Sequence, residues 1–190
     1  MEQHFTASFI QLQQALENER QELTRAKAGW RIVRSTLKQA DADALDSQFK
    51  IVFETLDNHF HQPADNSLQT LLQSLKELVW QGASAQLLGN YELGSYNLAM
   101  LIKNVEHISD PEELEIITEI VRITIIAGAD LYAQKAYVGN GGSISLELVI
   151  LGLATGINNN SYRLRTMEQY TCYYRIFSWV IDDEKATGAK

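Results

Sequence analysis

With 190 residues, 45% of them hydrophobic and 21% charged, the chain can bury one sizeable core, and its single cysteine, Cys172, rules out an internal disulfide framework. A net charge of −8 works against binding free nucleic acid, leaving that role only for a segment inside a larger complex. The longest apolar stretches, 116–129 and 144–157, are too short to cross a bilayer, and the first carries Glu119 and Arg122.

The opening residues lack the basic and then apolar pattern of a secretory signal, and a lone thiol suits a reducing compartment. The expectation is a cytoplasmic protein with no membrane segment. Only two prolines occur, Pro63 and Pro111, and both lie between periodic segments. This distribution points to an all-α fold: one helical domain over 1–181, a bundle of six to seven helices, and a frayed tail over 182–190.

The first helix is expected over about Thr6–Gln39. Phe5, Leu12, Glu19, Ala26 and Val33 recur every seven residues, interleaved with Phe9, Leu16, Leu23, Trp30 and Leu37. All but Glu19 are apolar, which is the pattern of a coiled-coil seam. Such a helix is roughly 50 Å long, more than a compact domain of this size needs. Its seam can pack along its own chain or against a second copy; the homodimer is the expectation, with Glu19 helping to set register. Along the same helix Lys27, Arg31, Arg34 and Lys38 form a basic stripe. Six basic residues face Glu22 alone between Arg20 and Lys38, a net of +5 that leaves −13 for the rest of the chain. The acidic segment 41–65 can fold back on this stripe; otherwise the stripe is free for an acidic partner.

A second helix is expected over about Asp43–Phe60 and a third from Leu68, continuing through Gly82 to Leu88. A fourth holds Leu98, Leu101, Ile102 and Val105. The fifth has the clearest start: Asp110 caps, Pro111 takes the first position and Glu113 completes a capping box. Its body, "LEIITEIVRITIIAGADLYAQ", is apolar nearly all round, as befits a central helix. A last helix covers about Tyr162–Ile181.

Before it lies "YVGNGGSISLELVILGLATGINNN", 137–160. Alternation over Ser143–Val149 after "GNGG" reads as a hairpin, but "VILGLATGI" does not alternate. The reading adopted is a short buried helix capped by Ser143, with Gly152 and Gly156 allowing close approach and Glu147 paired near its first turn. The glycines lack the spacing and the lysine of a phosphate loop.

Chemistry-bearing residues are sparse. His59 and His61, near Asp57 and Asp65, point to different faces of a helix, and "NVEH" at 104–107 has asparagine where a di-iron helix needs glutamate. No metal or cofactor and no catalytic residue is assigned. Cys172, in "YTCYYRIFSW", is read as an inert core thiol.

Two classes of function follow. The first is a non-enzymatic interaction protein (an adaptor, a regulator or an immunity-type binder) acting on another protein through Leu16, Leu23, Lys27, Trp30, Arg31, Arg34 and Lys38. The second is a ligand-binding or enzymatic bundle whose pocket, near the aromatic C-terminal helix and the 139–147 segment, joins Glu147 to Tyr170, Tyr173 and Tyr174. A solid core with an exposed apolar stripe favours the first; an enclosed pocket with a converging carboxylate favours the second.

Overall fold

A computed structural model describes residues 2–61, 68–88, 97–131, 135–138, 142–145 and 166–187, with side chains described for 10–56, 59–60, 68–88, 97–131 and 166–180. Among these residues six α-helices build a bundle: α1 (Glu2–Ser35), α2 (Gln39–His61), α3 (Leu68–Trp80), α4 (Leu98–Asn104), α5 (Pro111–Ile126) and α6 (Met167–Thr187). Short 3₁₀ turns at Gln86–Leu88 and Val105–His107 join them, and strands β1 (Lys135–Val138) and β2 (Gly142–Ser145) form an antiparallel hairpin.

The all-α bundle and the long first helix stand as the sequence implies. α5 is its axis. Leu114, Ile117, Ile120, Val121 and Ile125 are buried on several faces because α1, α3, α4 and α6 all pack around it. α2 contributes Phe49, Phe53 and Leu56, and α3 contributes Leu68, Leu71, Leu72, Leu75 and Val79, each set at helical spacing. Burying each such side chain is worth about 1.5–3 kcal/mol before the cost of ordering the chain. The described helices share this one core, to which α1 gives Leu23 and Trp30.

Helix ends depart from expectation where glycine acts. α3 stops at Trp80 instead of running to Leu88, because Gly82 turns left-handed (φ +98°). Ala83 N then donates to Leu78 O at 3.0 Å and Gly82 N to Val79 O at 2.9 Å, a Schellman cap. α5 ends the same way. Gly128 has φ +78°, Ala129 N donates to Thr124 O at 3.2 Å and Gly128 N to Ile125 O at 3.1 Å. The Asp110 cap and Pro111 of the expected α5 start are present, with Asp110 Oδ1 accepting from Glu112 N at 3.0 Å, but among the described residues the Glu113 half of the capping box does not form.

α6 starts later and runs further than expected, to Thr187 rather than Ile181. Its start is a reciprocal box: Thr166 N donates to Gln169 Oε1 and Gln169 N to Thr166 Oγ1, both at 3.2 Å. The Gln169 amide also donates to Ile108 O at 2.6 Å and to Val105 O and Glu106 O at 3.2 Å. One buried side chain thereby satisfies the carbonyls that end the α4 segment and pins the start of α6 beside the start of α5.

The reading of Ser143 as a helix cap is corrected. It lies in β2 and pairs with Tyr137 of β1. The alternation at Ser143, Ile144 and Ser145 outweighs the run after it, and packing of β1 on α4 gives the hairpin a covering surface. Residues 146–165, with Glu147, Gly152 and Gly156, lie outside the described residues.

Candidate functional site

The C-terminal half of α1 is locked to the two Schellman caps. Trp30 Nε1 donates to Ala83 O at 2.8 Å, and the indole covers Gly128, where an added Cβ would lie 3.1 Å from Trp30 Cη2. One turn on, Arg34 forks onto Asp46 of α2, with Nη1 to Oδ1 at 2.6 Å and Nη2 to Oδ2 at 2.7 Å, and Nη1 also donates to Gly82 O at 3.0 Å. Asp46 Oδ1 accepts a further bond from Ser84 N at 2.7 Å. The cap loops are joined by Ala85 N donating to Ala127 O at 2.9 Å. The polar groups at this junction answer one another, so it reads as architecture.

This places the residues singled out on α1. Leu23 and Trp30 are core residues, and Arg34 is half-buried in its ion pair, so none of the three is available to a partner. Leu16 and Lys27 are half-buried, while Arg31 and Lys38 are exposed. Among the described residues, the Arg34–Asp46 pair joins α2 to the basic stripe.

Glu19, the polar residue in the seam, has an intrachain partner. Its carboxylate takes Arg175 Nε of α6 at 3.0 Å, and Arg175 Nη1 reaches Glu115 Oε2 of α5 at 2.6 Å. Burial works against the Arg175 charge, but its hydrogen bonds to Glu115 and Glu19 and their negative charges outweigh it, and its pKa lies above the ordinary value. The guanidinium also lies 5.7 Å from the Trp179 ring centroid. Toward the N-terminus of this pair Leu16 is still half-buried. Leu12, two turns before Glu19 on the same face, is 51% exposed. The side chains of Phe5 and Phe9 lie outside the described residues.

A cleft of about 260 Å³ opens between α5 and α6. Leu114, Thr118 and Cys172 form its buried floor, and Pro111, Met167 and Glu168 stand at its mouth. Cys172 Sγ lies 2.8 Å from Thr118 Oγ1 and 3.9 Å from Leu114 O. Burial raises its pKa, against the lowering effect of the Thr118 hydrogen bond and the Arg175 charge, so the thiol keeps its proton at neutral pH. It is no activated nucleophile.

The tyrosines do not converge. Tyr170 and Tyr174 face solvent from α6, whereas Tyr173 is buried with its ring 5.9 Å from Phe177, stacked, and burial raises its pKa. Glu147, the carboxylate that was to join them, is outside the described residues. So are the side chains of Asp57, His61 and Asp65; the His59 ring meets Phe60 edge-on at 5.4 Å. Among the described residues no three histidine, cysteine or carboxylate groups come together as a metal site, and no helix is long and apolar enough to cross a membrane. Comparison with protein-family models, with curated proteins and with solved structures finds no match to this chain.

Proposed function

We propose that the chain is a non-enzymatic interaction protein, an adaptor or regulator, that meets a second copy of itself through the N-terminal part of α1. The observation that carries this reading is Leu12. It stands in the series of Glu19, Ala26 and Val33, interleaved along the same seam with Leu23 and Trp30, which the chain buries, yet it stays half exposed. An apolar seam that outlasts its own bundle is suited to continue against another helix. Residues 10–16, "IQLQQAL", carry no charge, so two copies, each at −8, meet there without facing like charges. The lone buried thiol of Cys172 agrees with a reducing, cytoplasmic setting.

The test is sedimentation equilibrium up to about 0.5 mM, a range suited to a contact smaller than the roughly 1,600 Å² of a standard interface. The wild-type protein is expected to approach dimer mass, and Leu12→Glu to remain a folded monomer. Ile10→Glu is the control: Ile10 is 57% exposed but lies on the opposite face of α1, so its replacement should leave association unchanged. Added salt should leave the dimer intact or strengthen it by screening net repulsion. A wild-type monomer throughout the range, or equal loss in both variants, refutes the reading.

A further inference from the structure

We propose that the cleft between α5 and α6 is a docking groove for a basic amphipathic segment of another protein, seating one large apolar side chain with Lys or Arg one helical turn to either side. This site is separate from the α1 seam and does not depend on self-association.

Its walls are set rigidly. The Asp110 cap and Pro111 start α5, the Thr166–Gln169 box starts α6, and the Gln169 amide ties the second start to the 105–108 carbonyls beside the first. At about 260 Å³ the groove falls below the roughly 300–1,000 Å³ of small-molecule pockets, a size for one anchoring side chain. The floor offers an anchor little to hydrogen-bond, since the Thr118 hydroxyl already bonds Leu114 O at 2.7 Å and the Cys172 thiol is protonated. At the lip Met167 is 74% exposed, a large apolar surface left in water beside Pro111.

The rim sets the sign of the partner. Glu115 and Glu168 line the groove and are exposed, and Asp110 and Glu112, the sequence neighbours of the lining residue Pro111, are exposed too. The cation lining the groove, Arg175, is held by Glu19 and Glu115. Acidic residues in a first helical turn have an ordinary explanation in the helix dipole, which covers Glu112 and Glu168. Glu115, beyond the first turn, pairs with Arg175 yet keeps 64% of its side chain exposed, and Met167 is uncovered. An apolar slot with an acidic rim is complementary to a helix that presents an apolar anchor between basic residues.

The test is selection from a displayed library of random peptides about 16 residues long, some four helical turns, against the full-length protein. Selected peptides should share an aliphatic or aromatic residue flanked by Lys or Arg at three- or four-residue spacing. As synthetic peptides they should bind Met167→Asp and the pair Glu115→Lys with Glu168→Lys at least about tenfold more weakly, and lose affinity as salt rises. Circular dichroism checks that the variants stay folded, and Met167→Asp leaves the Arg175 pairs untouched should the double charge reversal unfold. Failure to enrich any sequence, enrichment of acidic or uncharged sequences, or equal binding to wild type and Met167→Asp overturns the proposal.

Discussion

The two halves of α1 carry one pattern and meet two fates. From Leu23 to Ser35 the helix is keyed into the bundle by a buried indole, a forked ion pair and two glycine caps. From Ile10 to Asn18 the heptad pattern continues, but Leu12 is exposed and the side chains there bond locally, Gln14 to Asn18, Gln21 to Glu17 and Arg20 to Glu17. A heptad series states that a helix has a partner along its length. It does not state whether that partner belongs to the same chain; on the proposed reading the answer changes N-terminal to Glu19, whose carboxylate still pairs with Arg175 of the same chain.

The sharpest way to break the comparison is to truncate each half. Trp30→Ala removes a buried indole and its bond to Ala83 O and should cost about 3–5 kcal/mol. Leu12→Ala should stay within about 0.5 kcal/mol, as surface changes do. Urea unfolding followed by circular dichroism at low micromolar protein, where the proposed dimer should be dissociated, checks both. Similar costs at the two positions would mean that the projecting half is packed on its own chain after all.

A smaller effect comes from one substitution made twice. Gly82→Ala forces a side chain into φ +98° with its Cβ 2.8 Å from Leu37 Cδ1, and should cost about 1–2 kcal/mol. Gly29→Ala meets nothing within 4 Å in mid-helix and should gain about 0.5–1 kcal/mol. Thermal melts of the pair should move in opposite directions.

The smallest effect separates chemistry from packing. Cys172 has a folded-state pKa raised by burial, so its contribution favours the fold below the thiol's ordinary range and is lost as pH climbs through the raised value. At pH 7–8 the native thiol should resist iodoacetamide and react only on unfolding, as mass spectrometry would report. Rapid alkylation of the native protein would mean that the floor of the α5–α6 groove opens.

What could be read from the residues follows from how local each cause is. The periodicities of α2, α3 and α5 and the Asp110–Pro111 start are local and were legible. Gly82 and Gly128 are local too, but apolar residues run on past both, in "QGASAQLL" and "IIAGADLY", and periodicity hid the stops. "TMEQ" at Thr166–Gln169 is a readable capping box that the aromatic run after it overshadowed. The fates of Arg34 and Tyr173 were not legible. Each depends on which neighbour arrives, Asp46 for one and the core around Phe177 for the other, and neither is set by spacing along a single helix. The groove required two helix starts to be laid side by side, which rests on Gln169 reaching carbonyls more than sixty residues away in sequence.

Hydrogen exchange along α1, read by mass spectrometry at a few micromolar and again near 0.5 mM, tests the division of this helix most directly. The amides of Leu23–Arg34 should be slow at both concentrations. Those of Ile10–Asn18 should be fast in the dilute sample and slow in the concentrated one, as a second copy covers them. Uniform slow exchange along the helix when dilute, or fast exchange of Ile10–Asn18 at both concentrations, would contradict the account.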